Sequence, residues 1–84
     1  MTTTQLKSSI EERMPGSLVS VSDVTGTGDH FQVVVVSDQF SGMGIVQQHQ
    51  LVYEALRDEM NGDLHALGLK TYTPESWGRI QPRL

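Results

Sequence analysis

The run from Phe31 to Val36, which includes four consecutive valines, constrains the fold of this chain most strongly. β-Branched side chains are restricted at χ1 and pack well on a pleated surface, so the run predicts the most buried strand of the fold. A chain of 84 residues can form one modest core. We therefore expect a single domain over residues 1–84, built around this strand.

In the segment before this strand, the spacing of the apolar residues changes from that of a helix to that of a strand. Leu6, Ile10 and Met14 recur every four residues, which predicts an amphipathic helix from Thr4 to Arg13 that ends at Pro15-Gly16. From Ser17 to about Val24 the apolar residues alternate with serines, as in a half-buried strand. The turn-rich stretch 25–29 then connects this strand to the valine run, so the two strands form a hairpin.

The segment after the valine run predicts a loop and a long helix. Ser37 to Gly44 is expected to be the loop, and the helix is expected from about Met43 to Met60, where Asn61-Gly62 ends it. One face of this helix is apolar and is predicted to lie in the core; it comprises Ile45, His49, Val52, Tyr53, Leu56 and Met60.

A third strand is predicted from Leu64 to Tyr72, with His65, Leu67, Leu69 and Thr71 on one side. Thr73-Pro74 has the form of an N-cap followed by proline at the first helical position, so a short helix should carry Trp77 back onto the domain. The order predicts an α+β fold: an αββαβ core with a short C-terminal helix, and a three-stranded sheet with its helices mainly on one face. The local pattern leaves the place of the third strand open.

Composition and charge exclude several functions. The chain has no cysteine, so it can form no disulfide and offers no thiolate to a metal cluster. Its net charge of -4 and scattered basic residues predict weak binding to nucleic acid. No apolar run approaches the ~20 residues that a membrane span needs, and the polar N-terminus lacks a secretory pattern. We expect a cytoplasmic protein with no membrane partner.

Three blocks of the sequence together resemble the BolA family. They are Val34-Val35-Val36-Ser37-Asp38-Gln39-Phe40-Ser41-Gly42, His49-Gln50-Leu51-Val52-Tyr53, and Leu64-His65-Ala66-Leu67-Gly68-Leu69-Lys70-Thr71-Tyr72-Thr73-Pro74-Glu75-Ser76-Trp77. Their order and spacing cover almost the whole chain. The resemblance implies an αββαβ fold similar to a type II KH domain and no catalytic activity.

The resemblance also implies a partner and a cofactor. Proteins of this family pair with monothiol glutaredoxins and can share a bridging 2Fe-2S cluster with the glutaredoxin cysteine and glutathione; the isolated chain is expected to hold none. His65 matches the family's ligand histidine. The second ligand of the family is a His or Cys in the hairpin loop, where Thr27 stands here, and the nearest alternative is His30. Lys70, Thr71 and Tyr72 are expected to bind the partner.

Other interpretations of the same residues stay open at this stage. On pattern alone His65 fits a structural strand histidine, His30 fits a polar residue at a strand entrance, and His49 fits a buried histidine bonded to backbone. A KH-like transcriptional regulator that binds nucleic acid is the alternative function, and a homodimer is an open alternative for assembly. No nucleophile elbow or other triad context supports an enzyme.

Overall fold

The computed structural model describes residues 2–24, 26, 30–60 and 66–80, and its elements follow the predicted order. A 3-10 turn (Asp38–Phe40) lies between the second strand and the second helix. The helices and strands are α1 (Thr3–Arg13), β1 (Leu18–Asp23), β2 (His30–Val36), α2 (Ile45–Ala55), α3 (Arg57–Met60), β3 (Ala66–Tyr72) and α4 (Pro74–Ile80).

Both ends of α1 are determined by local chemistry. Thr2 and Gln5 form a capping box: the Thr2 hydroxyl accepts the Gln5 N–H at 3.1 Å, and the Gln5 side-chain oxygen accepts the Thr2 N–H at 2.9 Å. After the helix, Gly16 adopts a φ of 82°, which costs glycine no steric strain. The helix therefore ends where Pro15-Gly16 predicted.

The sheet has the order β1-β2-β3, so the valine-rich strand β2 is central, as expected from its composition. β1 pairs antiparallel with β2 in the predicted hairpin, and Val21 lies opposite Val33. β3 pairs parallel with β2, and Ala66 lies opposite His30 while Tyr72 lies opposite Val36. The structure thus fixes the third strand, whose place the sequence left open, at the edge beside β2.

The strands have one covered face and one open face. On the covered face, α1 and α2 pack against the alternate residues of the sheet and form the core. The buried apolar residues of this core are Leu6, Ile10, Met14, Val19, Phe31, Val33, Val35, Phe40, Val52, Ala55 and Leu56. The open face carries the residues between them, which are Leu18, Ser20, Ser22, His30, Gln32, Val34, Val36, Gly68, Lys70 and Tyr72. Of these residues Val36 is buried, with 5% exposed.

The predicted long helix is shorter than expected at its start and is interrupted near its end. It begins at Ile45, and at Leu56 the backbone leaves helical geometry (φ -105°, ψ 16°) before α3. Leu56 is fully buried, and its N–H is shared between the carbonyls of Val52 and Tyr53. The predicted end at Asn61-Gly62 lies outside the described residues.

The predicted core face of this helix was partly wrong. Val52 and Leu56 are buried, but Ile45 is 57% exposed and Tyr53 is 37% exposed. With 3.6 residues per turn, the stripe that meets the sheet includes Gln48, Val52 and Ala55, and Tyr53 falls outside it. Ile45 is the first residue of the helix and is exposed there. The predicted loop 37–44 likewise contains a 3-10 turn, because Phe40 enters the core and is fully buried.

Within the described ranges, no helix has the length and apolar character needed to cross a membrane. The cytoplasmic location stays a prediction.

Candidate functional site

His30 begins the central strand and leaves its imidazole exposed. The backbone carbonyl of His30 accepts the Val24 N–H at 2.9 Å, which closes this end of the hairpin. The imidazole makes no hydrogen bond or ion pair with the rest of the described chain. This ring is therefore available to an external ligand, although its role as a metal ligand stays a prediction.

His65 and Thr27 both lie outside the described residues. The described part of β3 begins at Ala66, the residue after His65 in the sequence, and Ala66 is the register partner of His30. The described residues contain no group of three or more His, Cys, Asp or Glu side chains placed to hold a metal ion. The predicted pairing of His65 with His30 is therefore neither confirmed nor contradicted.

The three predicted partner-binding residues do not share one surface. Lys70 lies on the open face, is exposed, and has no acidic partner among the described residues. Tyr72 lies half-buried on the same face, with its ring centroid 5.3 Å from that of Trp77. Thr71 points to the covered face, is 6% exposed, and donates its hydroxyl to the Gln48 side-chain oxygen at 2.7 Å. The Thr71 side chain is thus engaged in the interior, while Lys70 and Tyr72 are the ones that a partner can touch.

Helix α4 is held against this region by a local cap. The Thr73 hydroxyl accepts the Ser76 N–H at 3.1 Å, and the Ser76 hydroxyl accepts the Thr73 N–H at 3.0 Å. This reciprocal bonding places Trp77 one turn later, beside Tyr72. The Thr-Pro signal therefore predicted both the helix start and the return of Trp77 correctly.

Between β2 and β3 the open face contains a shallow cavity of about 180 Å³. Val34 and the strand backbone contribute its apolar part, and Gln32 and Lys70 contribute polar groups. Gly68 opposite Gln32 keeps the space open, because an added Cβ would lie 3.4 Å from the Gln32 Cγ. Sequence analysis missed this cavity; the only signal for it is a glycine within a predicted strand.

His49 differs from its predicted structural role in one respect. Its Nε2 is buried as expected, but it has no hydrogen-bond partner in the described part of the chain, so the predicted bond to backbone is wrong. Its ring lies edge-on to Tyr53, with centroids 6.4 Å apart and planes at 84°. His49 packs as an aromatic ring on the flank of α2.

Comparisons with known proteins agree on one family. The family model described as BolA-like protein matches residues 7–76. The chain is 48% identical over 59 residues to BolA-like protein 1 of Mus musculus, a match that covers 70% of this chain and 42% of the mouse protein. It is 41% identical over 56 residues to the DNA-binding transcriptional regulator BolA of Escherichia coli, covering 67% of this chain and 53% of that protein. The matches thus span about half the length of these curated relatives.

Solved structures show the same fold over nearly the whole length. A bolA protein homologue from Coxiella burnetii superposes with a TM-score of 0.84 at 41% identity, covering 94% of this chain and 99% of that chain. BolA1 from Arabidopsis thaliana superposes with a TM-score of 0.79 at 30% identity, covering 95% of both chains. The parallel β3, the central β2 and the helices on the covered face therefore belong to an established α+β fold.

Proposed function

From the premise that the chain belongs to the BolA family, we propose that it is a non-enzymatic binding protein that pairs with a monothiol glutaredoxin. In this proposal His65, with His30 as the second candidate, ligates a 2Fe-2S cluster that the glutaredoxin cysteine and glutathione also hold. The observation that carries it is the exposed imidazole of His30, which is free of other described contacts and begins the strand opposite Ala66.

The donor set of this chain fits half of a cluster site. It contains no cysteine and three histidines, and imidazole nitrogen can replace thiolate on one iron of a two-iron cluster while thiolates hold the other iron. An imidazole at the exposed end of a strand can reach iron that a second protein carries. When bound, the cluster would link the two proteins through iron that can change oxidation state or be passed on. The role of this chain is then to supply nitrogen ligands and a contact surface.

The contact surface that we propose for the glutaredoxin lies on the open face at β3. Lys70 is exposed there without a described acidic partner, and Tyr72 and Trp77 form an adjacent aromatic pair. Tyr and Trp are enriched in protein interfaces and among the residues that contribute most of the binding energy, so the aromatic pair is the main anchor of this surface. Thr71 is left out of this surface, because its hydroxyl is bonded to Gln48 in the interior.

The name of the Escherichia coli relative supports a second candidate, a transcriptional regulator that binds DNA. The described charges weigh against strong DNA binding by this chain. Arg57 is paired with Glu54 at 3.0 Å and Arg79 with Glu75 at 2.9 Å, while Arg13 lies 3.9 Å from Asp58. Affinity for the phosphate backbone requires clustered, available cations. A titration of duplex DNA at physiological ionic strength distinguishes the candidates: submicromolar, sequence-selective binding would favour the regulator.

The test of the proposed function is co-expression with a monothiol glutaredoxin, followed by absorption and circular dichroism spectra of the purified complex. We expect a cluster spectrum that differs from that of the glutaredoxin alone and that changes in His65→Ala. His30→Ala should change it less. His49→Gln is the matched control, because it also removes an imidazole but lies on α2, away from the sheet end. An unchanged spectrum in both His65→Ala and His30→Ala would contradict cluster ligation by this chain.

Acid should also weaken the mixed cluster, because only the neutral imidazole binds iron and protons compete for the nitrogen. The spectrum of the complex is therefore expected to revert toward that of the glutaredoxin alone as the pH falls through the range in which imidazole protonates. A folded His65→Gln variant should lose this response. Retention of the full pH response in that variant would assign it to another group.

A further inference from the structure

Strand β1 is an edge of the sheet with unpaired backbone groups. It pairs with β2 alone in the order β1-β2-β3. The bond from the Val24 N–H to the His30 carbonyl shows that Val24 and His30 are a hydrogen-bonded pair of the hairpin. In an antiparallel pair such residues alternate with residues whose N–H and C=O point away from the partner strand. The backbone groups of Ser20 and Ser22 therefore point to β2, and those of Val19 and Val21 point outward. The outward groups of Val19 and Val21 make no hydrogen bond to any described part of the chain. Such a row is a template for pairing with another strand.

The β1 edge also lacks the features that usually prevent such pairing. Between Leu18 and Ser22 there is no charged residue and no proline, and the first charge is Asp23 at the end of the strand. Natural proteins protect edges with lysines, prolines or bulges. The other edge, β3, carries the exposed Lys70. Of the two edges, β1 is the one open to pairing.

The side chains of β1 are self-complementary about one residue, Val21. If two copies of β1 pair antiparallel with Val21 opposite Val21, Leu18 of each copy faces Val24 of the other. Leu18 is 56% exposed, and Val24, the residue after β1, is 59% exposed. The bond from the Val24 N–H to the His30 carbonyl continues the alternation, so both residues lie on the open face. The same alignment sets Ser20 opposite Ser22. The exposed apolar residues at the two ends of the strand would thus cover each other twice.

Neighbouring registers do not have this property. With Ser20 or Ser22 at the centre, Leu18 and Val24 no longer face each other. With Asp23 at the centre, two carboxylates would lie directly opposite, which is unfavourable. In the Val21 register Asp23 faces Val19 instead. One alignment is therefore preferred, as a closed two-fold interface requires.

We propose that the protein forms a two-fold symmetric dimer in which β1 of one copy pairs antiparallel with β1 of a second copy, centred on Val21. The sheet then runs continuously through both copies, and β3 with Lys70 and Tyr72 lies at each outer edge. The proposal is independent of glutaredoxin binding. One strand pair buries less than the ~1,200 Å² of stable interfaces, so the dimer dissociates on dilution.

The test is sedimentation equilibrium of the full chain over a range of concentrations. We expect the mass to rise from 9.3 kDa toward twice that value. Ser20→Lys with Ser22→Lys should abolish the rise, because the register places lysines opposite each other twice. Ser20→Lys with Ser22→Glu is the matched control: it changes the same two exposed positions but places opposite charges across the interface, so the dimer should be retained or strengthened. Circular dichroism checks that both variants fold.

Two results would overturn the proposal. One is a constant mass of 9.3 kDa up to millimolar concentration. The other is equal association of the lysine–lysine and lysine–glutamate variants, which would place the interface elsewhere.

The register is tested with single cysteines, since the native chain has none. In the Val21 register, residues 20 and 22 of the two copies lie about 4.5 Å apart at Cα, within disulfide range. A mixture of Ser20→Cys and Ser22→Cys should therefore oxidise mainly to the mixed dimer, whereas each variant alone should crosslink poorly. Equal crosslinking in all three samples would contradict the register.

Discussion

The two faces of the same three strands differ in almost every physical respect. On the covered face Phe31 and Val33 are each 1% exposed and belong to the buried cluster that also contains residues of α1 and α2. On the open face the neighbouring Gln32 is exposed, and the cavity beside it extends to Lys70. Because side chains alternate along a strand, one sequence encodes both surfaces at once. The covered face carries the stability of the fold, and the open face is available for binding.

The largest expected effect is on the covered face. Phe31→Ala removes a fully buried ring from the centre of the core and should lower the free energy of unfolding by about 3–5 kcal/mol. Urea denaturation followed by circular dichroism measures this loss. If the variant does not fold, Val35→Ala at a 0% exposed position tests the same face more gently.

Gln32→Ala is the matched control for this comparison, because Gln32 follows Phe31 in β2 and projects to the opposite face. Its effect should stay within about 0.5 kcal/mol, as is usual for exposed positions. A loss comparable to that of Phe31→Ala would show that the open face is packed in solution and would remove the basis of the comparison.

A smaller loss of stability than that of Phe31→Ala is expected at Thr71, a polar residue on the covered face. Thr71→Val keeps the shape of the side chain but removes the hydroxyl that donates to the Gln48 side-chain oxygen at 2.7 Å. It should destabilise by about 1 kcal/mol, because the partly buried amide loses its partner. Glutaredoxin affinity should not change, since Thr71 does not reach the open face. A lost affinity in a variant of normal stability would return Thr71 to the partner surface.

Elements with a strong local signal could be predicted from the sequence. The valine run, the hairpin and the capped start of α4 each depend on residues close together in the chain, and the structure confirms them. The parallel place of β3 could not be read in this way, because it depends on contacts between distant segments. The exposure of Ile45 and Tyr53 could not be read from the helical pattern either, because it depends on how α2 packs against the sheet, where Thr71 of β3 donates to Gln48.

For the expected partner-binding residues, alternation gives the side-chain directions, whereas partner binding itself stays a prediction. Alternation already places Thr71 with Leu67 and Leu69, so the sequence contained the information that Thr71 faces the core. The family resemblance instead treats residues 70–72 as one binding surface, and only Lys70 and Tyr72 present side chains there. The cavity at Gly68 could not be predicted from the sequence. A glycine within a strand indicates open space only when the neighbouring side chains are known.

The last prediction separates binding from folding on the open face, with a substitution that should not destabilise the protein. Gly68→Ala adds a methyl group 3.4 Å from the Gln32 Cγ, a contact that a slight shift of a flexible side chain relieves. Alanine also restricts the unfolded chain more than glycine does, so stability should be unchanged or rise by up to about 1 kcal/mol. The added methyl group nevertheless occupies the cavity between Gln32 and Lys70. If the glutaredoxin uses this cavity, its affinity should fall several-fold in a variant that is no less stable than wild type, as isothermal titration calorimetry would measure.

Ser22→Ala is the control, because Ser22 lies on the other side of Gln32, away from the cavity. Equal affinity in Gly68→Ala and Ser22→Ala would restrict the partner surface to Lys70 and the Tyr72–Trp77 pair.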